Sequence, residues 1–89
     1  MKTIYKYTLP VADEQKLILP YGAGVLSVCE QYGEVVIYAI VDSKEAMTEE
    51  YTIHMRGTGH VADGLDDAKF LGTVKLLDGV LMFHVFISK

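Results

Sequence analysis

Phe70-Leu71-Gly72-Thr73-Val74-Lys75-Leu76-Leu77 and Val80-Leu81-Met82-Phe83-His84-Val85-Phe86-Ile87, joined by Asp78-Gly79, are the stretch from which the fold is read. Asp and Gly both tolerate the positive φ angles of a type I′ turn, whose twist matches that of the flanking strands. Asp-Gly between two runs rich in apolar residues therefore predicts an antiparallel hairpin. Along the second run, Val80, Met82, His84 and Phe86 fall on one face and Leu81, Phe83, Val85 and Ile87 on the other, because side chains alternate along a strand. Both rows are largely apolar, so this strand is expected to be covered on both sides.

The same period of two recurs upstream. Ile4, Lys6 and Thr8 alternate with Tyr5, Tyr7 and Leu9, which predicts a strand over 2–9 that ends at Pro10. Gln15 to Leu19 reads as a second strand, broken by Pro20-Tyr21-Gly22-Ala23-Gly24. Val25 to Glu30 and Glu34 to Asp42 form a hairpin through Gln31-Tyr32-Gly33, with the glycine in the left-handed position. Val35-Val36-Ile37-Tyr38-Ala39-Ile40-Val41 is apolar on both faces, as in a central strand. One face is core, and the other needs a second layer or another subunit.

Ser43 to Glu50 is polar and lacks a capping box, so it forms at most one helical turn. Tyr51, Ile53 and Met55 then alternate with Thr52, His54 and Arg56 until Gly57, and Val61 to Ala68 is an acidic loop without hydrophobic periodicity. Seven short strands separated by turn signals predict a single all-β domain over residues 1–89. Its architecture is a small antiparallel β-sandwich or barrel with little helix.

Composition narrows the function classes. Hydrophobic residues make up 51 % of the 89 and charged residues 22 %, whereas a chain of this length buries only about 60–65 % of its unfolded surface. The surplus apolar surface implies self-association into a homo-oligomer. A net charge of −4 with scattered Lys and Arg argues against nucleic acid as a partner, since phosphate neutralisation needs clustered cations. Cys29 is the only cysteine, which excludes an intramolecular disulfide and fits a reducing compartment. No run approaches the ~20 apolar residues of a membrane span, and Met1 to Leu9 lacks the unbroken apolar stretch of a signal peptide. The expectation is a chain that stays in the cytoplasm, with no membrane partner.

The segment with the most chemical potential is Gly57-Thr58-Gly59-His60. Two glycines permit positive φ and close approach, and the turn ends in a titratable ring. Such a turn presents backbone N–H groups and the Thr58 hydroxyl, with the Arg56 guanidinium one step upstream to meet an anionic oxygen. It does not lead into a helix, so it is not a nucleotide-binding loop of the familiar kind. The plain-turn reading stands beside the functional one, as does the reading of Arg56 as a solvated strand residue.

His54, His60 and His84 do not have metal-ligand spacing, and no metal or other cofactor is expected. His84, between Phe83 and Val85, reads by default as a hydrogen-bonded core or interface residue. Asp63, Asp66 and Asp67 lack the spacing of a calcium loop and read as a solvated loop. Cys29 reads as a buried inert thiol, and Ser27 and Ser88 have no adjacent base and no nucleophile-elbow motif, so no enzyme activity is expected. Six tyrosines suit binding pockets and subunit contacts equally.

Several stretches together resemble a family of small proteins of unknown function encoded by bacteriophages and prophages: Ile4-Tyr5-Lys6-Tyr7-Thr8-Leu9, Asp13-Glu14-Gln15, Leu19-Pro20-Tyr21-Gly22-Ala23, Val25-Leu26-Ser27-Val28, Tyr38-Ala39-Ile40-Val41-Asp42, Gly57-Thr58-Gly59-His60, Phe70-Leu71-Gly72-Thr73-Val74 and Phe83-His84-Val85-Phe86. The Gly-Thr-Gly-His turn and the final Phe-His-Val-Phe are its most specific parts. Many members follow the turn's histidine with proline, where this chain has Val61.

The resemblance implies an accessory protein acting in the cytoplasm of an infected host. By analogy of context with small β-rich phage proteins that hold nucleotide-derived immune signals, the leading expectation is a non-catalytic, homo-oligomeric, anti-defence sponge. It would bind a small anionic nucleotide-like molecule through Arg56, Gly57, Thr58, Gly59 and His60, with Tyr38 or His84 stacking on a base. The alternative is a structural or interaction protein of a phage, an assembly or host-factor-binding module whose double-sided apolar strands are the working surface.

Overall fold

The computed structural model describes residues 1–89 and contains strands β1 (Lys2–Leu9), β2 (Glu14–Pro20), β3 (Gly24–Gln31), β4 (Glu34–Asp42), β5 (Thr48–Gly57), β6 (Lys69–Leu76) and β7 (Leu81–Ser88). They form two antiparallel sheets. Sheet A has the order β1-β4-β3 and sheet B the order β2-β5-β7-β6. The sheets are not closed into a barrel, so the fold is a β-sandwich.

The Asp78-Gly79 hairpin forms as its sequence dictates. Asp78 and Gly79 have φ of 54° and 91°, and the Val80 N–H donates to the Leu77 carbonyl at 3.0 Å, the arrangement of a type I′ turn. Leu77 also takes a positive φ of 50°, so the ladder stops at Leu76↔Leu81. In the other hairpin both Tyr32 and Gly33 have positive φ, and β3 runs on to pair Gln31 with Glu34. That loop is a two-residue turn, one residue tighter than its sequence suggests.

Between the sheets lies a cluster that includes Leu19, Val35, Ile37, Ile53, Met55 and Val85, each almost inaccessible to solvent. It is built from the inward rows that alternation defines on β2, β4, β5 and β7. The outward row of β4 is Val36, Tyr38 and Ile40; no second sheet lies over it, and Val36 is nonetheless buried while Tyr38 and Ile40 are half-buried. β7 is likewise covered on one side only. Its outward Phe86 is half-buried because the Phe70 ring leans on it, with centroids 5.3 Å apart at 58°.

One segment departs from the sequence reading. Residues 48–50 are not part of a helical turn but open β5, pairing with Pro20, Leu19 and Ile18. Their polarity fits a strand end whose outward face is wet, and the pairing partner, remote in sequence, decides the matter. The turn before them is closed by the Glu45 N–H on the Asp42 carbonyl at 3.0 Å, while Asp42 Oδ1 accepts from the Lys44 N–H at 3.0 Å.

At that end of the sandwich the Tyr51 hydroxyl donates to Glu49 Oε2 at 2.9 Å and Lys89 Nζ donates to Glu49 Oε1 at 3.1 Å. These two bonds hold the Glu49 carboxyl below the ordinary carboxylate range. Burial, then the bond to Glu49, pushes the Tyr51 phenol up.

Candidate functional site

β5 delivers the Gly-Thr-Gly-His segment to the end of sheet B, where the chain turns sharply. The His60 N–H donates to the Gly57 carbonyl at 3.0 Å, and Gly59 supplies a φ of 88°, the positive value a type II turn requires at its third position. The His60 ring lies over Gly57. A Cβ on residue 57 would stand 2.7 Å from His60 Cε1 and 2.8 Å from Nδ1. Glycine at 57 is therefore what lets the imidazole fold back onto the strand.

The ring forms one wall of a shallow cavity of about 160 Å³, shared with Gly57 and Thr58 and faced by Val80 to Phe83. Ligand pockets usually measure about 300–1,000 Å³, so this one takes a single functional group or a small side chain rather than a whole nucleotide. A cleft of about 320 Å³ lies elsewhere, between the two hairpin tips, lined by Glu30, Gly33, Lys75, Leu77 and Asp78. Its two carboxylates beside one ammonium do not favour an anion. Sequence reading missed it because it arises only where two turns remote in sequence approach each other.

The expected site residues are only partly brought together. Gly57, Thr58 and His60 line the small cavity. Arg56 is turned away from it, on the outward face of sheet B. Its Nη1 donates to the Asp13 carbonyl at 2.7 Å and the Met55 carbonyl at 3.1 Å, and Nη2 lies 3.7 Å from Glu14 Oε1. The guanidinium fastens the start of β2 to β5 and is not free for an incoming anion.

His84 is paired in register with Arg56, and both ring nitrogens are engaged. Nε2 shares a 2.9 Å hydrogen bond with Thr58 Oγ1, and Nδ1 shares a 3.0 Å bond with Thr73 Oγ1. This is a hydrogen-bonded bracket that ties the turn to β6 and β7. Tyr38 lies on β4 in the other sheet, with its hydroxyl donating to Gln31 Oε1 at 3.2 Å. It cannot stack on a base held at the turn of the same chain.

His54 is the buried polar residue that sequence reading placed only in a polar row. It is 7 % exposed, its Nε2 shares a 2.8 Å hydrogen bond with Ser88 Oγ, and its Nδ1 has no hydrogen-bond partner and lies 3.5 Å from Glu14 Oε2. Ser88 thus has a base beside it, contrary to the sequence reading, because β5 and β7 pair Thr52 with Ser88 and so place His54 next along. The Ser–His–carboxylate order resembles a nucleophile with its base and orienting group. Neither cavity adjoins Ser88, and the arrangement forms a hydrogen-bond chain across β5 and β7. No three His, Cys, Asp or Glu side chains gather closely enough to hold a metal ion.

The outward face of sheet A is different in kind. Register sets Ile4 beside Ile40, and Thr8 and Cys29 beside Val36, and a bulge between Val25 and Ser27 adds Leu26 to the same strand. Ile4 is 59 % exposed and Leu26 49 %, while Tyr38, Ile40 and Cys29 are half-buried. Aliphatic and aromatic groups run across a sheet face with nothing above them. No helix of the chain is long and apolar enough to cross a membrane.

The chain belongs to the family described as domain of unknown function DUF7352, whose pattern it matches over residues 1–89. No curated protein and no solved structure matches it.

Proposed function

We propose that this member of the family is a non-catalytic interaction module that meets a protein partner through the outward face of sheet A. The carrying observation is the half-buried outward pair Tyr38 and Ile40 of β4, flanked by exposed Ile4 and Leu26. A sheet face of this composition left in water forgoes the roughly 25 cal/mol per Å² that burial returns, and such faces mark binding surfaces. Tyrosine at its centre is typical of an interface anchor. The resemblance to phage-encoded proteins supports a partner among the components of an infected cell or of an assembling virion.

A photo-crosslinking residue at position 38, in cells that express the full chain, tests this reading. The expected result is a discrete protein adduct that is lost when Leu26→Glu is added and is absent when the probe stands at Thr73, on the outward face of sheet B. Equal adducts from both faces, or none from position 38, overturn it.

A second reading rests on the Gly57–His60 turn. His60 over Gly57, the Thr58 hydroxyl and the small cavity suit one anionic group, a phosphate or carboxylate, of a larger nucleotide-derived ligand whose remainder lies outside the cavity. Under this reading the protein sequesters a host signal without cleaving it. Titration calorimetry with inorganic phosphate, adenosine monophosphate and cyclic dinucleotides checks it. Heat that disappears in His60→Ala supports the reading, and no heat across the series retires it.

A further inference from the structure

We propose that two copies of the chain join edge to edge through β1, antiparallel about a two-fold axis that passes beside Tyr5. The inference goes beyond that reading and takes up the self-association that the surplus of apolar residues leads one to expect, adding the surface and the register.

The sandwich has four edge strands, β1 and β3 in sheet A and β2 and β6 in sheet B. Three of them carry features that discourage a further strand. β3 is bulged between Val25 and Ser27, and β6 between Phe70 and Gly72. β2 ends in Pro20, and its outward charges are engaged within the sheet, Lys16 with Glu50 at 3.5 Å and Glu14 with Arg56 at 3.7 Å. Bulges and proline are the devices by which sheet edges avoid pairing. β1 has neither. It holds unbroken register with β4 from Lys2 to Leu9, and on its length Ile4 is 59 % and Tyr5 44 % exposed.

Lysines on an edge commonly prevent association, and β1 has two, Lys2 and Lys6. Here they select a register instead. Two antiparallel copies keep outward rows outward only if paired residues are both odd or both even. Of the two longest registers that satisfy this, one is centred on Lys6 and sets that lysine against its own copy, which is repulsive. The other is centred on Tyr5. It places Lys2 against Thr8, Thr3 against Tyr7, Ile4 against Lys6, and the two Tyr5 rings side by side. No like charges meet, and an aromatic pair sits at the axis. This complementarity of the strand with itself is what points to a second copy as the occupant. The product is one continuous sheet of order β3-β4-β1-β1-β4-β3, in which the apolar outward faces of the two copies run on from each other.

Two measurements decide the matter. In a Cys29→Ser background, Tyr5→Cys under mild oxidation should convert most of the protein into a disulfide-linked dimer, since directly opposed Cβ atoms lie about 4.5–5.5 Å apart. Thr8→Cys in the same background should not cross-link, because the two copies of residue 8 lie at opposite ends of the paired segment. In sedimentation equilibrium, Ile4→Lys sets two lysines opposite each other and should weaken dimerisation at least tenfold while the thermal midpoint of the monomer holds. A chain that stays monomeric at every concentration overturns the proposal. So does a dimer that cross-links as well from position 8 as from position 5, or one indifferent to Ile4→Lys. Should Ile4→Lys misfold, the cysteine pair still decides. Adduct formation from position 38 is read separately, so loss of the edge dimer and loss of the docking face are distinguishable.

Discussion

The outward faces of the two sheets differ in how far their polar groups are bonded within the fold, although the same alternation of strand residues produces both. On sheet B the outward face holds Glu14, His54, Arg56, His84, Thr73 and Ser88, which bond mainly to one another and to nearby backbone, beside the apolar Ile18, Phe70 and Phe86. On sheet A it holds exposed Ile4 and half-buried Tyr38 and Ile40, which have no second sheet above them. Most polar residues of sheet B are engaged in holding strands together, and Ile4, Tyr38 and Ile40 of sheet A have no such partners above them. Capacity for binding therefore follows what is unsatisfied rather than what is reactive.

The largest expected effect separates inward from outward on a single strand. Ile37→Ala removes a fully buried side chain and should cost about 2–5 kcal/mol. Ile40→Ala, on the outward face of the same strand, should cost less than about 1 kcal/mol. Denaturant midpoints at constant m-value measure both, and near-equal losses would mean that the outward face is as built-in as the core.

Next comes the network on sheet B. His54→Ala removes the buried partner of Ser88 and should cost about 1–3 kcal/mol. If Tyr38→Ala costs as much, the contrast between the faces fails.

A smaller effect is expected at the turn. His84→Ala releases Thr58 and Thr73 and should cost about 1 kcal/mol. It should also speed hydrogen exchange at the His60 amide, whose bond to Gly57 the bracket steadies. Unchanged exchange would show that the turn holds itself.

The smallest effect touches neither face. The carboxyl of Glu49 is held low by the Tyr51 hydroxyl and Lys89, so its folded pKa lies beneath its unfolded one. The stability it contributes is fully present above the unfolded value of about 4.3 and is lost as pH falls through the folded value. Glu49→Gln should lower the thermal midpoint slightly at neutral pH and leave it unchanged in acid, so that the profile below about pH 4.5 is flatter than that of the parent chain.

Most strands are legible in the sequence because period-two alternation and the turn signals Asp78-Gly79 and Gln31-Tyr32-Gly33 are local. The beginning of β5 is not legible, since residues 48–50 become strand only by pairing with 18–20. The candidate site is legible as a turn and not as a pocket. Gly57 and Gly59 announce a bend, whereas the direction of Arg56, the two bonds of His84 and the separation of Tyr38 from all of them depend on which strands become neighbours. The meeting of His54 with Ser88 has no sequence signal, because the two are joined only through the register of β5 with β7.

By itself the amino-acid order determined that this chain is all-β, where its hairpins turn, and that β4 is apolar on two faces, because side-chain alternation and positive φ are properties of adjacent residues. Tertiary structure alone decided which apolar face became core and which stayed open. It decided as well that the histidines and Arg56 are bound within the fold, because burial and hydrogen bonding depend on neighbours that the linear order does not name.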